Sequence, residues 1–245
     1  MGRAHEVRAE AMARTALLKS KVYSRYGKEI YMAAKTGSPD PNSNLTLKKI
    51  IEKAKAAQVP ADVIKRNIEK AKGAGGENYA PVRYEGFGPG NSTIIVECMT
   101  DNVNRTFGEV RACFTKTGGK MGIAGSVIHQ YRYVSLVSFE GMTEDEALEA
   151  LLNANVDMSE MNTDEDGVVT IIGTASDLDS IKEALVAAKA DLTFFEEKVT
   201  YLPNEYIELD EEELRKYNRF ISLTDELDDI QDVFSNVNVP FVEEE

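Results

Sequence analysis

The apolar period of this chain changes once, and abruptly. Through residue 72 apolar side chains return every third or fourth position, whereas after the "GAGG" of 73–76 they come in unbroken or alternating runs. One pattern cannot serve both a helix and a strand, so the switch divides an all-helical start from a mixed remainder. Over 11–35, Leu18, Val22, Tyr26 and Ile30 recur every four residues with Ala33 on the same face, which predicts an amphipathic helix. "TGSPDPNSN" (36–44) is dense in turn formers and ends it. A second helix is expected over 46–58, with Leu47, Ile50, Ile51 and Ala54 inward and Pro60 as its stop. A third starts near Ala61, turns Val63, Ile64 and Ile68 inward, and closes at the glycines. Three short helices that share an apolar face make a small bundle.

After the glycines, "STIIVECM" (92–99) reads as a buried strand, and 103–117 as a helix with Val103, Phe107, Val110 and Phe114 inward. "SVIHQYRYVSLVSF" (126–139) is strand-like throughout and is expected to cross a domain boundary near 134. Beyond it the pattern gives strand 134–140, helix 143–154, strands 155–161 and 167–173, helix 176–189 and strand 193–200. That order, β-α-β-β-α-β, belongs to ferredoxin-like domains. A strand at 204–208, a helix at 211–227 and a strand at 231–237 would join 92–133 in a second such domain. The expected fold is therefore multi-domain, α and α+β. A three-helix bundle spans 1–77, and a discontinuous ferredoxin-like α+β domain spans 78–133 and 201–245. An inserted β-α-β-β-α-β domain occupies 134–200.

Charge follows the same divisions. The chain carries a net −14, but residues 1–77 hold 16 basic against 8 acidic residues, a net of +8. Residues 78–134 hold 6 against 4, and residues 135–245 hold 6 against 30, a net of −24. A basic end on an acidic chain points to a polyanion partner for that end. Along the first helix Arg14, Lys21, Arg25, Lys28 and Lys35 fall within a sector of roughly 80° beside the apolar stripe. They are the leading candidates for phosphate contact, joined by Lys48, Lys65 and Arg66 in the next two helices and by Arg105, Arg111, Lys116 and Lys120 further on. The acidic α+β part is repelled by nucleic acid and suits a protein partner instead.

Catalytic and cofactor chemistry finds no support. Cys98 and Cys113 are the only cysteines and His5 and His129 the only histidines, so there is neither a disulfide framework nor a zinc spacing. A reducing cytoplasm suits such a chain. No stretch reaches the roughly 20 apolar residues of a membrane span. The start, "MGRAHEVRAEAMART", lacks the apolar core of a secretory signal. Ser126 has no nucleophile elbow around it, His129 is expected to be packed in a strand or at its edge, and Cys113 falls near an apolar helix face as a buried thiol. No cofactor, metal or catalytic residue is assigned, and the chain is read as a non-enzyme.

Two polar stretches remain. "TKTGGKMGIAGS" (115–126) lacks the spacing of a P-loop and follows a helix instead of opening one. A helix C-cap with a tight connection is the favoured reading, with Gly118 or Gly119 at positive φ; a backbone nest for phosphate is the alternative. "GFGPG" (86–90) reads as a turn. In "TDNVNRT" (100–106), Asp101 or Asn102 can cap the following helix. Arg105 opposes the macrodipole at that helix start, so it serves either as a binding contact or as a strut between domains.

These residues spell a known pattern. "RYEGFGPGNSTIIVECMTDNVNRTFGEVRACFTKTGGKMGIAGSV" (83–127) closely resembles the central signature of the YebC family, bacterial proteins known as probable transcriptional regulators. "AAKTGSPDPNSNLTLKKIIEKAKAAQVPADVIKRNIEKAKG" (33–73) resembles its helical domain and "DDIQDVFSNV" (228–237) its ending, while "SKVYSRYGKEIY" and "RYEGFG" resemble the YeeN-type branch. At "RAHEV" (3–7) the chain departs from the Lys-Trp-Ala-Asn-type segment usual there. The resemblance implies an interlocked three-domain fold and one of two activities. Some members bind promoter DNA and regulate transcription. Others, including the mitochondrial translational activator, act on ribosomes and help synthesis through proline-rich stretches, and in that case the basic surface of this chain would meet rRNA or tRNA.

Overall fold

The computed structural model describes residues 19–73, 76 and 78–239. Arg14, Leu18 and the "RAHEV" segment lie outside the described residues. Two compact units form: residues 19–128 with 207–237, and residues 129–206. The multi-domain α+β architecture expected from the sequence is present, with two four-stranded antiparallel sheets.

In the first unit the bundle comprises α1 (Lys19–Thr36), α2 (Leu45–Ala56) and α3 (Ala61–Lys72). Its core is Ile30, Ala33, Ala34, Leu47, Ile51, Ala54, Val59 and Ile64, the apolar positions that the helical period singles out. Asn44 fixes the turn between α1 and α2. Its Oδ1 accepts from Leu47 N at 3.0 Å, and its Nδ2 donates to the carbonyls of Ala33 and Ser38 at 2.9 and 2.8 Å.

The sheet of this unit has the order β3-β1-β2-β8, built from β1 (Ala80–Phe87), β2 (Thr93–Thr100), β3 (Lys120–Met121) and β8 (Ile230–Ser235). β2 is central, and Ile94, Ile95 and Val96 are fully buried. Two helices, α4 (Val103–Lys116) and α7 (Glu211–Asp225), pack through Phe114 and Phe220, whose ring centroids lie 4.8 Å apart. β8 pairs with β2 across more than a hundred intervening residues. The strand order is not the β-α-β-β-α-β expected of this half, however. β1 precedes β2 as a hairpin partner, and the stretch 204–208 makes only one bridge, Ile207 to Val237. In "APVRYEGF" Arg83 and Glu85 share a face with Pro81, a residue rare inside strands, and the charged Glu85 is buried, which conceals β1 in the sequence.

The second unit is the β-α-β-β-α-β arrangement that the pattern predicts. β4 (Tyr131–Glu140), β5 (Glu160–Thr163), β6 (Val169–Thr174) and β7 (Thr193–Pro203) take the order β5-β6-β4-β7. α5 (Glu144–Asn153) and α6 (Leu178–Ala188) cover one face, closing a core of Val137, Phe139, Leu151, Val169, Ile171, Ile181 and Leu185. The boundary expected near 134 falls inside β4, which pairs with β7 from Tyr131 onward. Residues 126–130 are not strand, and His129 lies exposed in a 3-10 turn over Ile128–Gln130. β5 starts later than the predicted 155. Asn155 takes φ +52° and Val156 N returns to Leu151 O at 3.0 Å, so these residues cap α5 instead.

The glycine-rich stretch is a helix C-cap. Gly118 sits at φ +79°, and Gly119 N bonds Phe114 O at 2.8 Å, which closes α4 in a left-handed turn. The nest that follows it is filled by the protein itself. Gly125, Val127 and Ile128 donate their N–H groups to the buried carboxylate of Glu85 at 2.9, 2.8 and 2.9 Å. Burial pushes the Glu85 carboxyl up, but these three donors and the nearby Arg83 charge outweigh it and hold it below its ordinary value. These bonds draw 125–128 away from any ladder, which is why the strand-like run does not extend there.

Gly118→Ala should lower stability by about 1 kcal/mol through its left-handed backbone. Gly119→Ala should cost more, because its Cβ would meet Phe87 O at 2.6 Å. Gly108→Ala, on an exposed helical position where a Cβ meets nothing within 4 Å, should instead stabilise by about 0.5–1 kcal/mol. Hydrogen exchange of the α4 amides measures all three, and equal signs would refute the assignment of the cap.

Candidate nucleic-acid interface

The basic residues of the first unit divide into engaged and free. On α1, Lys21, Arg25 and Lys28 meet acids of the segment around β8, roughly two hundred residues away in sequence, and Lys35 meets the chain just before β1. Lys21 Nζ donates to Asp225 Oδ1 at 3.2 Å and to Thr224 O at 2.9 Å. Arg25 donates to Asp232 Oδ1 at 2.8 Å and to Glu29 Oε1 at 3.0 Å. Burial alone would lower the Arg25 pKa, yet the Asp232 and Glu29 charges hold it above its ordinary value. Lys28 Nζ reaches Asp229 Oδ1 at 2.9 Å and the carbonyls of Met99 and Asp228 at 3.1 and 2.8 Å. Lys35 Nζ bonds Gly76 O and Asn78 Oδ1 at 3.0 and 2.8 Å.

Asp229 is the hub of this network. Its side chain is only 9% exposed, and it gathers Lys28 on Oδ1 and three donors on Oδ2: Arg105 at 2.6 Å, Thr106 at 2.8 Å and Thr100 at 2.9 Å. Burial disfavours its charge, but the Arg105, Lys28, Thr106 and Thr100 hydrogen bonds prevail and hold it well below the usual carboxylate range. Arg105 also bonds Asp101 at 2.8 Å. Thus Arg105, which the sequence leaves open between binding contact and strut, ties α4 to the chain entering β8. Asn102 supplies the cap, accepting from Arg105 N at 3.1 Å. The thiol of Cys98 lies beside the hub, and burial with the Asp229 charge pushes it up to about 12. Cys113 is likewise buried, and burial raises its thiol.

The remaining sequence candidates are exposed. Lys48 on α2 and Lys65 on α3 make no ion pair among the described residues, and Arg66 faces Asp62 at 3.6 Å across open solvent. An open groove of about 540 Å³ runs along this side of the bundle, with Ile51, Ile64 and Ile68 in its floor and Lys55 and Lys65 on its walls. Sequence reasoning missed Lys55. Its spacing of seven from Lys48 places both on one side of α2, and that was the available signal. A second exposed group comprises Arg111 and Lys116 on α4 and Lys120 on β3. Phe107, 43% exposed, lies one helical turn from Arg111, and Ile123, 82% exposed, follows in the loop after β3.

A family model described as the TACO1/YebC N-terminal domain matches residues 3–74, and one for the second and third TACO1/YebC domains matches 79–237. The chain belongs to the TACO1/YebC family. A probable transcriptional regulatory protein of Acholeplasma laidlawii is 51% identical to this family member over 97% of the chain and 98% of its own length. One of Alteromonas mediterranea is 46% identical over 98% of the chain and the whole of its own length. Among solved structures, a conserved hypothetical protein of Aquifex aeolicus superposes with a TM-score of 0.75 at 31% identity, over 94% of each chain. Among the described residues no helix is long and apolar enough to cross a membrane.

In this YebC-family protein the depressed Asp229 pKa sets a pH dependence. A carboxyl whose folded pKa lies below its unfolded value contributes stability that is fully present above the unfolded value. It is lost as pH falls through the folded one. Stability of the first unit should therefore decline below about pH 4, the ordinary aspartate value. Asp229→Asn should flatten that acid limb and cost about 3–5 kcal/mol at neutral pH, because Lys28 is left buried without its counter-charge. Urea unfolding from pH 2 to 7 gives both quantities, and an unchanged acid limb in the variant would refute the hub.

Proposed function

We propose that this protein is a non-enzymatic, cytoplasmic regulator that binds nucleic acid, with DNA as the leading target. The observation that carries the reading is the division of its cations. α1 is neutralised by Asp225, Asp229 and Asp232, whereas Lys48, Lys55 and Lys65 are exposed on α2 and α3 without an ion pair among the described residues, and Arg66 faces the exposed Asp62 at 3.6 Å. Charge left unpaired at a surface is what a phosphate backbone rewards, through counterion release. The names of the relatives, probable transcriptional regulatory proteins, support the same reading. Arg14, Lys35, Arg111, Lys116 and Lys120 belong to the wider candidate set, while Lys21, Arg25, Lys28 and Arg105 would act mainly by shaping the surface. The acidic unit of residues 129–206 stands clear of phosphate and is a candidate for protein contact.

A ribosome-associated role in elongation through proline-rich stretches is the second reading. Exposed Phe107 and Ile123 beside Arg111 and Lys120 favour it, because single-stranded RNA is held by stacking together with charge. Reversing Lys48, Lys55, Lys65 and Arg66 to Glu should abolish duplex binding and leave the fold intact. The slope of log K against log salt should fall by roughly 0.9 for each phosphate contact removed. Reversing Lys21, Arg25 and Lys28 should unfold the first unit instead. A promoter-to-random affinity ratio above about 10³ supports the regulator. A ratio near one, together with nuclease-resistant sedimentation on ribosomal subunits, supports the second reading. An unchanged salt slope in the four-site variant would overturn the assigned surface.

A further inference from the structure

The second unit holds a cavity that the nucleic-acid reading does not use. Alternation along the strands sends Val137, Phe139, Val169 and Ile171 toward α5 and α6, so Leu136, Ser138, Thr170 and Ile172 face the other way. On that face the register aligns Asn162, Thr170, Ser138 and Glu196 as successive cross-strand partners, one polar row over all four strands. Two residues along, Glu160, Ile172, Leu136 and Lys198 form the next row. At about 4.8 Å between strands the polar row is roughly 14 Å long, and the apolar centre of the second row lies about 7 Å from it. Leu202 and Pro203 at the end of β7, with Asn204 and Tyr206 just after it, complete the lining of a cavity of about 680 Å³, within the size range of small-molecule sites.

The charges lining this cavity select its ligand. Three are carboxylates, Glu160, Glu196 and Glu205, against the guanidinium of Arg132, which already holds Glu160 at 2.6 Å, and the ammonium of Lys198 in the neighbouring row of the same face. Glu196 is only 10% exposed. Its Oε1 accepts from Lys198 at 2.7 Å, and its Oε2 has no donor among the described residues. A carboxylate this buried with an unused oxygen calls for an N–H donor, and a charged one binds it most strongly. An anion would meet the opposite field. We propose that this cavity binds a small organic cation, an ammonium or guanidinium group on an aliphatic stem. The head sits on Glu196 Oε2 beside the Ser138 and Thr170 hydroxyls, and the stem lies over Leu136 and Ile172. The same chemistry is carried by a free diamine or guanidine and by a lysine or arginine side chain of a partner.

The test uses the full chain labelled with 15N at constant ionic strength. Agmatine stands for the free cation, a capped Ala-Arg-Ala peptide for a partner's side chain, and glutarate for the anionic control. Saturable amide shifts confined to β4, β6 and β7 with agmatine support the proposal. Saturation by the capped peptide at lower concentration supports it with a protein side chain as the source. Glu196→Gln should weaken binding about tenfold or more. Thr170→Val, which keeps all charges, should weaken it less and guards against a folding defect in the first variant. The proposal is overturned if neither cation saturates, if Glu196→Gln binds as tightly as the parent, or if glutarate shifts the same amides.

Discussion

A single buried carboxylate holds the first unit together. Asp229 receives a lysine from the bundle, an arginine and a threonine from α4, and a threonine from the end of β2. Donors from α1, the end of β2 and the start of α4 thus converge on two oxygen atoms brought from far along the chain. Such a site is stable only when complete, because a carboxylate removed from water must recover its hydration from the protein. Here every donor is present, two of them cationic, and the depressed pKa reports that they more than restore what burial removes. The interlock of helices and sheet therefore rests on closing one charge network, to which Lys21 with Asp225 and Arg25 with Asp232 add flanking pairs.

Glu85 repeats the device with backbone donors. Its carboxylate occupies a nest of three N–H groups after the glycines, the kind of concavity that binds phosphate in other proteins. The nest is already neutralised from within, so the glycine-rich stretch orders the connection from α4 to the second unit. A turn and a nest were alternatives in the sequence, and the structure contains both, with the anion supplied by β1.

The readable part of the sequence was the local part. The four-residue apolar repeat of α1, the stop at Pro60 and the strand-like runs of β4 and β6 depend on neighbours within a few residues, where periodicity carries the information. What stayed hidden was non-local. The basic sector of α1 is evident from its spacing, but nothing in that spacing shows that Asp225, Asp229 and Asp232 arrive from the far end of the chain. β1 escaped notice because Pro81 stands within it and because Glu85, in phase with the exposed Pro81 and Arg83, is nonetheless buried. β5 escaped its predicted start because Asn155 adopts a left-handed cap that its residue type permits but does not require.

The same non-locality changes what the charge blocks mean. Summed by position, the acidic part of the chain looks like a uniform repulsive body and the basic start like a free polycation. In the folded unit Asp225, Asp229 and Asp232 are the counter-ions of that start, held at 3.2, 2.9 and 2.8 Å. A polyanion approaching α1 would have to displace carboxylates that are already bonded and partly dehydrated, with no gain in charge pairing. Lys48, Lys55 and Lys65 on α2 and α3 carry no such ion pair among the described residues, so a polyanion approaching them would release mobile ions with the entropy gain that this brings. Where a folded chain can bind a polyanion depends on which cations its own acids leave unclaimed, and among the described residues these include Lys48, Lys55 and Lys65 on α2 and α3 and Arg111, Lys116 and Lys120 on α4 and β3, not the most basic stripe of the sequence.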